Sequence, residues 1–332
     1  MKAIPLSILD LARVEPTDAT PADAIARSVR NAQLADELGY HRIWFAEHHN
    51  ARTIASSATA LLIQHVASQT KKIRVGAGGI MLPNHAPLLI AEQFGTLELF
   101  FPGRIDLGLG RAPGTDGATI RALRRDGREA DRFPNDVLEL HGFLGDTSPI
   151  PGVTAYPGVG SHVPLYMLGS SMFGAQLAAQ LGMPYAFASH FAPELLEQAA
   201  YAYRQSFNAQ GPLAGENAKP HFIAAANVIA ADDEETANDL MVQAQDALLD
   251  TFLGRERSLT PEEISAARNT PQAQQIFNMF KYTFVGTGEH VQSQLNAFAE
   301  HVRADELILV NQSRGEQNMR RTLELLAPQD RA

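Results

Sequence analysis

Four short groups of residues in this 332-residue chain carry types that could do chemistry. Glu47-His48-His49 sets a carboxylate beside two imidazoles. Histidine changes charge near neutral pH, so it suits proton transfer. A metal site is the other use of these types. Adjacent residues on an extended segment point to opposite sides, however, so His48 and His49 would not chelate one ion. Neither an HExxH spacing nor a two-carboxylate pattern accompanies them. No metal is expected, and His48 reads either as an inward catalytic histidine or as one held by hydrogen bonds in a strand-end turn. Gly169-Ser170-Ser171 offers helix-start N–H groups and hydroxyls, the usual donors to a phosphate. Arg111 could add a charge-assisted partner. Taken singly, Ser170 is a helix cap and Arg111 a solvated loop residue; on adjacent strands they compose a phosphate clamp. Val75-Gly76-Ala77-Gly78-Gly79-Ile80 bares the backbone. It is either a flexible turn or a place where a flat ligand presses on the chain, and a side chain at Gly79 would then push on that ligand. Ser189-His190 ends another strand and repeats, after a Leu-Gly pair, the pattern that leads into Glu47-His48. No GxGxxG follows the first strand and no GxxxxGK[ST] occurs, so neither a dinucleotide fingerprint nor a P-loop explains the clamp.

Strand-like and helix-like runs that alternate along the chain must position these groups. Short apolar runs at Ile4–Leu9, Arg42–Ala46, Ile73–Gly78, Ile105–Leu109, Leu165–Leu168, Tyr185–Ala188, Phe222–Ala230 and Glu306–Val310 predict eight strands. Thr20-Pro21 with Asp23 opens a helix, and Gly39 and Gly182 stand where left-handed caps belong. Strands separated by helices pair in parallel with right-handed crossovers. The expected fold is an α/β, eight-stranded parallel TIM-type barrel with insertions; a doubly wound sheet is the alternative. Residues 1–332 read as one domain, with insertions near 112–163 and 232–284. Arg121, Arg124, Arg125, Arg128 and Arg132 recur at helical spacing and predict a solvated helix face. The polar stretch from Arg255 to Gln275 reads as a lid over the barrel mouth or as a surface excursion. In such a barrel the chemistry gathers at the C-terminal strand ends, where all four groups fall.

Composition sets limits. Hydrophobic residues make up 45% and charged residues 19%, an ordinary globular balance. Without cysteine there is no disulfide, iron–sulfur cluster or thiol nucleophile. Lys+Arg 27 against Asp+Glu 37, a net charge of −10, disfavours a nucleic-acid or anionic-membrane surface. No membrane-length apolar run and no signal-like N-terminus is seen, so a cytoplasmic protein is expected.

In combination these segments resemble the bacterial luciferase-like monooxygenases, a flavin-dependent superfamily, over nearly the whole chain. Ala46-Glu47-His48-His49, Val75 to Pro83, Phe101-Pro102-Gly103-Arg104-Ile105-Asp106-Leu107-Gly108-Leu109-Gly110-Arg111 and Gly169-Ser170-Ser171 carry the likeness, in order and with fitting spacing. The resemblance implies a non-proline cis peptide at Gly78–Gly79 and a proton-handling role for His48. It makes Arg111 and Ser170 flavin-phosphate ligands, with Gly169 and Ser171 beside them and Glu47, His49 and His190 as pocket candidates. It also implies a homodimer and an FMN-dependent monooxygenase. Reduced FMN would come from a separate reductase, since no second nucleotide fingerprint is visible. With O2 it would oxidise a small apolar organic substrate through a flavin hydroperoxide. Gly110 and Gly169 replace luciferase's reactive cysteine and its acidic phosphate-site residue. The chain therefore resembles the small single-gene members more than luciferase itself. A deazaflavin-dependent hydride-transfer enzyme on the same barrel and a noncatalytic flavin-binding protein are the rival readings.

Overall fold

The computed structural model describes residues 4–112, 114–125, 128–254 and 257–328. The first half runs β1 (Leu6–Asp10), α1 (Pro21–Leu38), β2 (Arg42–Phe45), α2 (Thr59–Ala67), β3 (Arg74–Met81), α3 (Pro87–Phe100), β4 (Ile105–Gly110), α4 (Gly117–Ala122) and α5 (Glu129–Leu144). The second runs β5 (Leu165–Gly169), α6 (Met172–Leu181), β6 (Tyr185–Phe187), α7 (Leu196–Ser206), β7 (Phe222–Ala231), α8 (Glu234–Leu253), α9 (Pro261–Arg268), α10 (Pro271–Phe277), β8 (Thr283–Thr287), α11 (Gly288–Val302), β9 (Glu306–Asn311) and α12 (Glu316–Leu325). Strands β1 to β6 pair in sequence order, β6 pairs with β7, β7 with β9, and β9 with β1, all in parallel. The result is a closed eight-stranded parallel barrel wrapped by helices. The predicted strands all form. An additional strand, β8, pairs with β7 alone; its half-buried run Thr283–Thr287 is too short and mixed to stand out in the sequence. Among the described residues no helix is long and apolar enough to cross a membrane.

Period-two alternation sorts the strand side chains. Ile8, Ile43, Val75 and Leu107 face outward into the helix-packed core. Leu9, Trp44, Tyr166, Ile223 and Ile308 form a second cluster inside the barrel. Helix ends follow their sequence signals. The Asp23 carboxylate accepts the Thr20 N–H at 2.8 Å, and Gly39 and Gly182 adopt φ of 85° and 75°. The arginine series behaves differently. Helix α4 stops at Ala122, Arg124 takes φ of 60°, and α5 begins afresh at Glu129, so no single helix presents a continuous basic face.

Strands β3 and β4 approach too closely for side chains between them. A Cβ on Gly76 would lie 2.5 Å from the Asp106 carbonyl oxygen, and one on Gly79 would lie 2.8 Å from that of Gly108. The bond between Gly78 and Gly79 is cis. The N-terminal half of the barrel is filled by ions. Fully buried Asp106 accepts from Arg42 Nη1 at 2.8 Å, Trp44 Nε1 at 3.1 Å and Arg74 Nε at 3.0 Å. Arg42 also pairs with buried Glu306 at 2.9 Å, while its guanidinium lies 4.8 Å from the Tyr166 ring centroid. Glu306 accepts further from Ser7 Oγ and hydrogen-bonds His221 at 3.1 Å. Removing one partner of such a group leaves an uncompensated buried charge. Asp106→Ala is expected to cost about 3–5 kcal/mol of unfolding free energy, read from urea denaturation. A loss below about 1 kcal/mol would mean that water, not the carboxylate, satisfies Arg42.

Candidate active site

The C-terminal strand ends enclose a cavity of about 1730 Å³. Leu9, Trp44, Ala46, Ala186, Ala225 and Ile308 form its apolar floor. Of the residues singled out by sequence, His48, Gly78, Gly79, Arg111, Gly169, Ser170, Ser171 and His190 all line it. Residues separated by as many as 142 positions (48 to 190) thus share one wall system. Glu47 and His49 do not line it. Alternation turns Glu47 and His49 away from His48, and the buried Glu47 carboxylate then joins His49 Nε2 and His85 Nε2, each at 2.8 Å. Its other oxygen accepts the Met81 N–H at 3.0 Å. The ligand atoms of Glu47, His49 and His85 lie within 4.8 Å of one another. As placed, they form a hydrogen-bonded brace between the segment that follows β2 and the end of β3.

His48 is half-buried in the cavity wall. Its N–H donates to the Ser56 carbonyl at 3.0 Å, while its ring Nδ1 has no partner among the described residues. Burial lowers its pKa, so the imidazole is held neutral. A neutral imidazole facing an apolar space can accept a proton there and return it. His190, three residues beyond β6, is alike. Its Nδ1 is unpartnered among the described residues, and Asn227 Nδ2 holds its carbonyl at 2.8 Å. Burial, with Arg13 and His48 nearby, pushes its pKa down to about 3.

The β4 and β5 ends build a different wall. Registration of Gly110 with Leu168 brings Arg111 beside Gly169. The Arg111 guanidinium lies 4.2 Å from the Phe173 ring centroid in the first turn of α6. Its one hydrogen bond is a long one, 3.4 Å to the Ala130 carbonyl, and no carboxylate lies within 4.0 Å among the described residues. Ser171 is the N-cap of α6 in extended conformation but makes no side-chain cap bond. Tyr185 closes the underside, donating from its hydroxyl to the Ser171 carbonyl at 3.2 Å. A guanidinium without a counter-ion, two hydroxyls and the open amides of a ten-residue helix match a phosphate in charge and donors. The glycine pair offers bare backbone between this wall and His48. The sequence leads one to expect that a side chain at Gly79 would either push on a ligand or force the Gly78–Gly79 bond to relax. Its Cβ direction instead leads to the Gly108 carbonyl of β4, so β3–β4 packing would be disturbed first.

Sequence reasoning missed several cavity residues. Arg13, Gln312 and Arg314 follow β1 and β9, whose ends offer no motif. Phe133, Phe173 and Phe191 line it from helices and loops. The polar segment after α8 contributes Ser258, Leu259 and Ile264 as wall, while Arg255, where that segment begins, lies outside the described residues. His190 has a consequence for acid stability. A histidine whose folded pKa lies below its ordinary 6.5 takes up its proton only in the unfolded chain between those values. The stability it contributes is therefore complete above pH 6.5 and lost as pH falls toward 3. Between about pH 6 and 4.5, wild type should lose up to about 1.4 kcal/mol per pH unit more than His190→Gln, read from urea midpoints. Parallel curves for the two proteins would show that His190 is protonated in the folded state.

Comparison with known proteins agrees with this architecture. A sequence model described as luciferase-like monooxygenase matches residues 4–305. A luciferase-like monooxygenase of Escherichia coli K12 is 43% identical over 317 residues, 94% of this chain and 92% of that protein. An N-acetyl-S-alkylcysteine monooxygenase of Bacillus subtilis is 33% identical over 92% of each chain. The crystal structure of apo-MsnO8 superposes with a TM-score of 0.85 at 32% identity, covering 98% of each chain. At 16% and 17% identity the fold alone is shared with two further structures. One is the oxygenating constituent of 3,6-diketocamphane monooxygenase from Pseudomonas putida in complex with FMN (TM-score 0.73); the other is an F420-dependent secondary alcohol dehydrogenase (TM-score 0.67). With its closed barrel, its strand-end cavity and a match over most of its length, this chain belongs to the luciferase-like monooxygenase family.

Proposed function

We propose that the protein is a flavin-dependent monooxygenase that binds reduced FMN, supplied by a separate reductase, and uses O2 to oxidise an apolar organic substrate. One observation carries this reading. A single, largely apolar cavity runs from the uncountered Arg111 guanidinium and the α6 N-terminus, across bare Gly78–Gly79 backbone, to the neutral ring of His48. Named relatives with monooxygenase activity and an FMN complex on the same barrel support it.

When bound, FMN would supply the electrons and the oxygen-activating chemistry; the chain supplies binding, orientation and dryness. Arg111, Ser170, Ser171 and the amides that open α6 hold the phosphate. Gly78 and Gly79 would offer a flat ring bare backbone, their missing side chains being excluded by Trp44 and Leu9 and by the Gly108 carbonyl. Trp44, Leu9, Ala186 and Ile308 keep water from that floor. His48, with Nδ1 unpaired and burial favouring its neutral form, holds or moves a proton at that nitrogen. Glu47 positions His48 indirectly by tying the next residue, His49, to His85 and Met81.

The test is a titration with FMN, reduced FMN and F420, followed by reductase-coupled oxygen consumption over a panel of thioethers, ketones and aldehydes. Tight F420 binding with hydride transfer and no oxygen use would overturn the proposal in favour of the deazaflavin reading. Flavin binding without oxygen use on any substrate would leave a flavin carrier. Two variants test the residue roles. Arg111→Ala should weaken FMN by about 1.5–3 kcal/mol, the range for a hydrogen bond to a charged group, and riboflavin hardly at all. Equal losses would remove Arg111 from the phosphate. His48→Ala should leave FMN affinity near wild type while slowing coupled oxidation by roughly 100- to 10,000-fold or diverting it to hydrogen peroxide. Turnover and coupling within about twofold of wild type would remove His48 from the proton path.

A further inference from the structure

A second cationic group faces the cavity, and the phosphate does not account for it. Arg13 lies three residues beyond β1 and Arg314 three beyond β9. In the ring β1-β2-β3-β4-β5-β6-β7-β9, the β9/β1 boundary stands opposite the β4/β5 boundary that carries Arg111 and Ser170. The cavity therefore has cations on two opposed walls.

The state of Arg13 is unusual in this molecule. Its guanidinium makes one side-chain hydrogen bond, from Nη1 to Gln312 Oε1 at 2.5 Å, and no carboxylate lies within 4.0 Å of it among the described residues. Other enclosed arginines are satisfied. Arg27 meets Asp18 at 2.6 Å, Arg42 meets Asp106 at 2.8 Å, and Arg104 donates to the carbonyls of Ile73, Ala67 and Thr70 and to the Thr70 hydroxyl. The acids near Arg13 have partners of their own. One oxygen of Glu15 pairs with Arg314 at 3.1 Å while its Oε1 has no partner among the described residues, and Asp10 accepts the Ala12 N–H at 2.7 Å. Burial and the charge of Arg314, against the opposing pull of Glu15 and Asp10, lower the Arg13 pKa to about 10, so it remains a cation at neutral pH.

Arg13 is also held in place. Gln312, its acceptor, donates from Nε2 to Asn227 Oδ1 at 2.5 Å, and Asn227 donates to the His190 carbonyl at 2.8 Å. This relay fixes the guanidinium fork relative to the wall that bears His190. A fixed fork with unused donors, and with Glu15 and Asp10 near but outside ion-pair distance, suits a planar anion. The same cavity is lined by apolar Leu11, Phe187, Phe191 and Ile308 and by polar Glu15, Gln312 and Arg314.

We infer that Arg13, backed by Arg314, is the subsite for a carboxylate on the organic substrate, so that the preferred substrates are apolar acids bound by their charged end on the β9/β1 wall. The inference rests on the monooxygenase reading of the same cavity. Binding of matched acid and amide pairs to the full-length protein, saturated with FMN, tests it by calorimetry. The pairs are (benzylthio)acetate and (benzylthio)acetamide, 4-phenylbutanoate and 4-phenylbutanamide, and octanoate and octanamide. In at least one pair the acid should bind more than threefold tighter than its amide. Arg13→Met should bring that ratio to within twofold of unity, Arg13→Lys should retain part of it, and FMN affinity of both variants should stay within twofold of wild type. Acids no more than threefold better than amides in all three pairs would overturn the inference, as would a preference that survives Arg13→Met. Loss of FMN by Arg13→Met would reassign this cation to the cofactor. A wild-type protein that discriminates acids yet binds no FMN would instead sink the flavin reading and leave the anion subsite standing.

Discussion

The buried ion knot around Asp106 and Glu306 is the constraint on which the rest of this barrel depends. Two carboxylates on β4 and β9 are matched by guanidiniums on β2 and β3, and Ser7 on β1 and Tyr166 on β5 close around them. Strands that are not neighbours in the sheet are thereby tied through the interior. Such a knot gives little net stability over well-packed hydrophobics, because desolvating the charges offsets most of their attraction. Its value is geometric: each charge has its partner in only one strand register. It also fills the N-terminal half of the barrel with paired charged groups, while the cavity opens at the other half.

Above the knot the filling changes to glycine and apolar side chains. Gly76, Gly79 and Gly108 let β3 and β4 lie in backbone contact, while Trp44 and Leu9 stand directly over Gly78. The same closeness that excludes a Cβ exposes peptide surface to the cavity. The brace of Glu47 with His49, His85 and Met81 then locks the end of β3 to the end of β2, which carries His48. Packing and site geometry are therefore one arrangement here. A change that loosens β3 would move the cavity wall and the histidine together.

The electrostatics of the cavity follow from what is paired and what is not. His48 and His190 are neutral because burial withholds solvation from their charged forms. Arg13 keeps its charge at neutral pH although burial and Arg314 lower its pKa to about 10. The cavity thus holds neutral imidazoles between two guanidiniums in a largely apolar lining.

The sequence by itself determined the element order and the barrel, because helix caps, apolar periodicity and short crossovers are local signals. It also determined which groups gather at the mouth end, since residues just past a strand's C-terminus lie there whatever the loops do, although alternation decides which of them face the cavity. His48, Arg111, Ser170 and His190 were legible for that reason. Only the tertiary structure decided what those residues face. Glu47 and His49 looked like cavity residues, but alternation sent them to His85. Gly79 lines the cavity, but the atom its side chain would meet is the Gly108 carbonyl, which only the packing reveals. The arginines from 121 to 132 looked like one helix face, but the left-handed turn at Arg124 divides it. Strand β8 and the cation pair Arg13–Arg314 left no pattern at all. A pairing partner 50 or 300 residues away is set by packing in space, and no short window of sequence contains both halves of the contact.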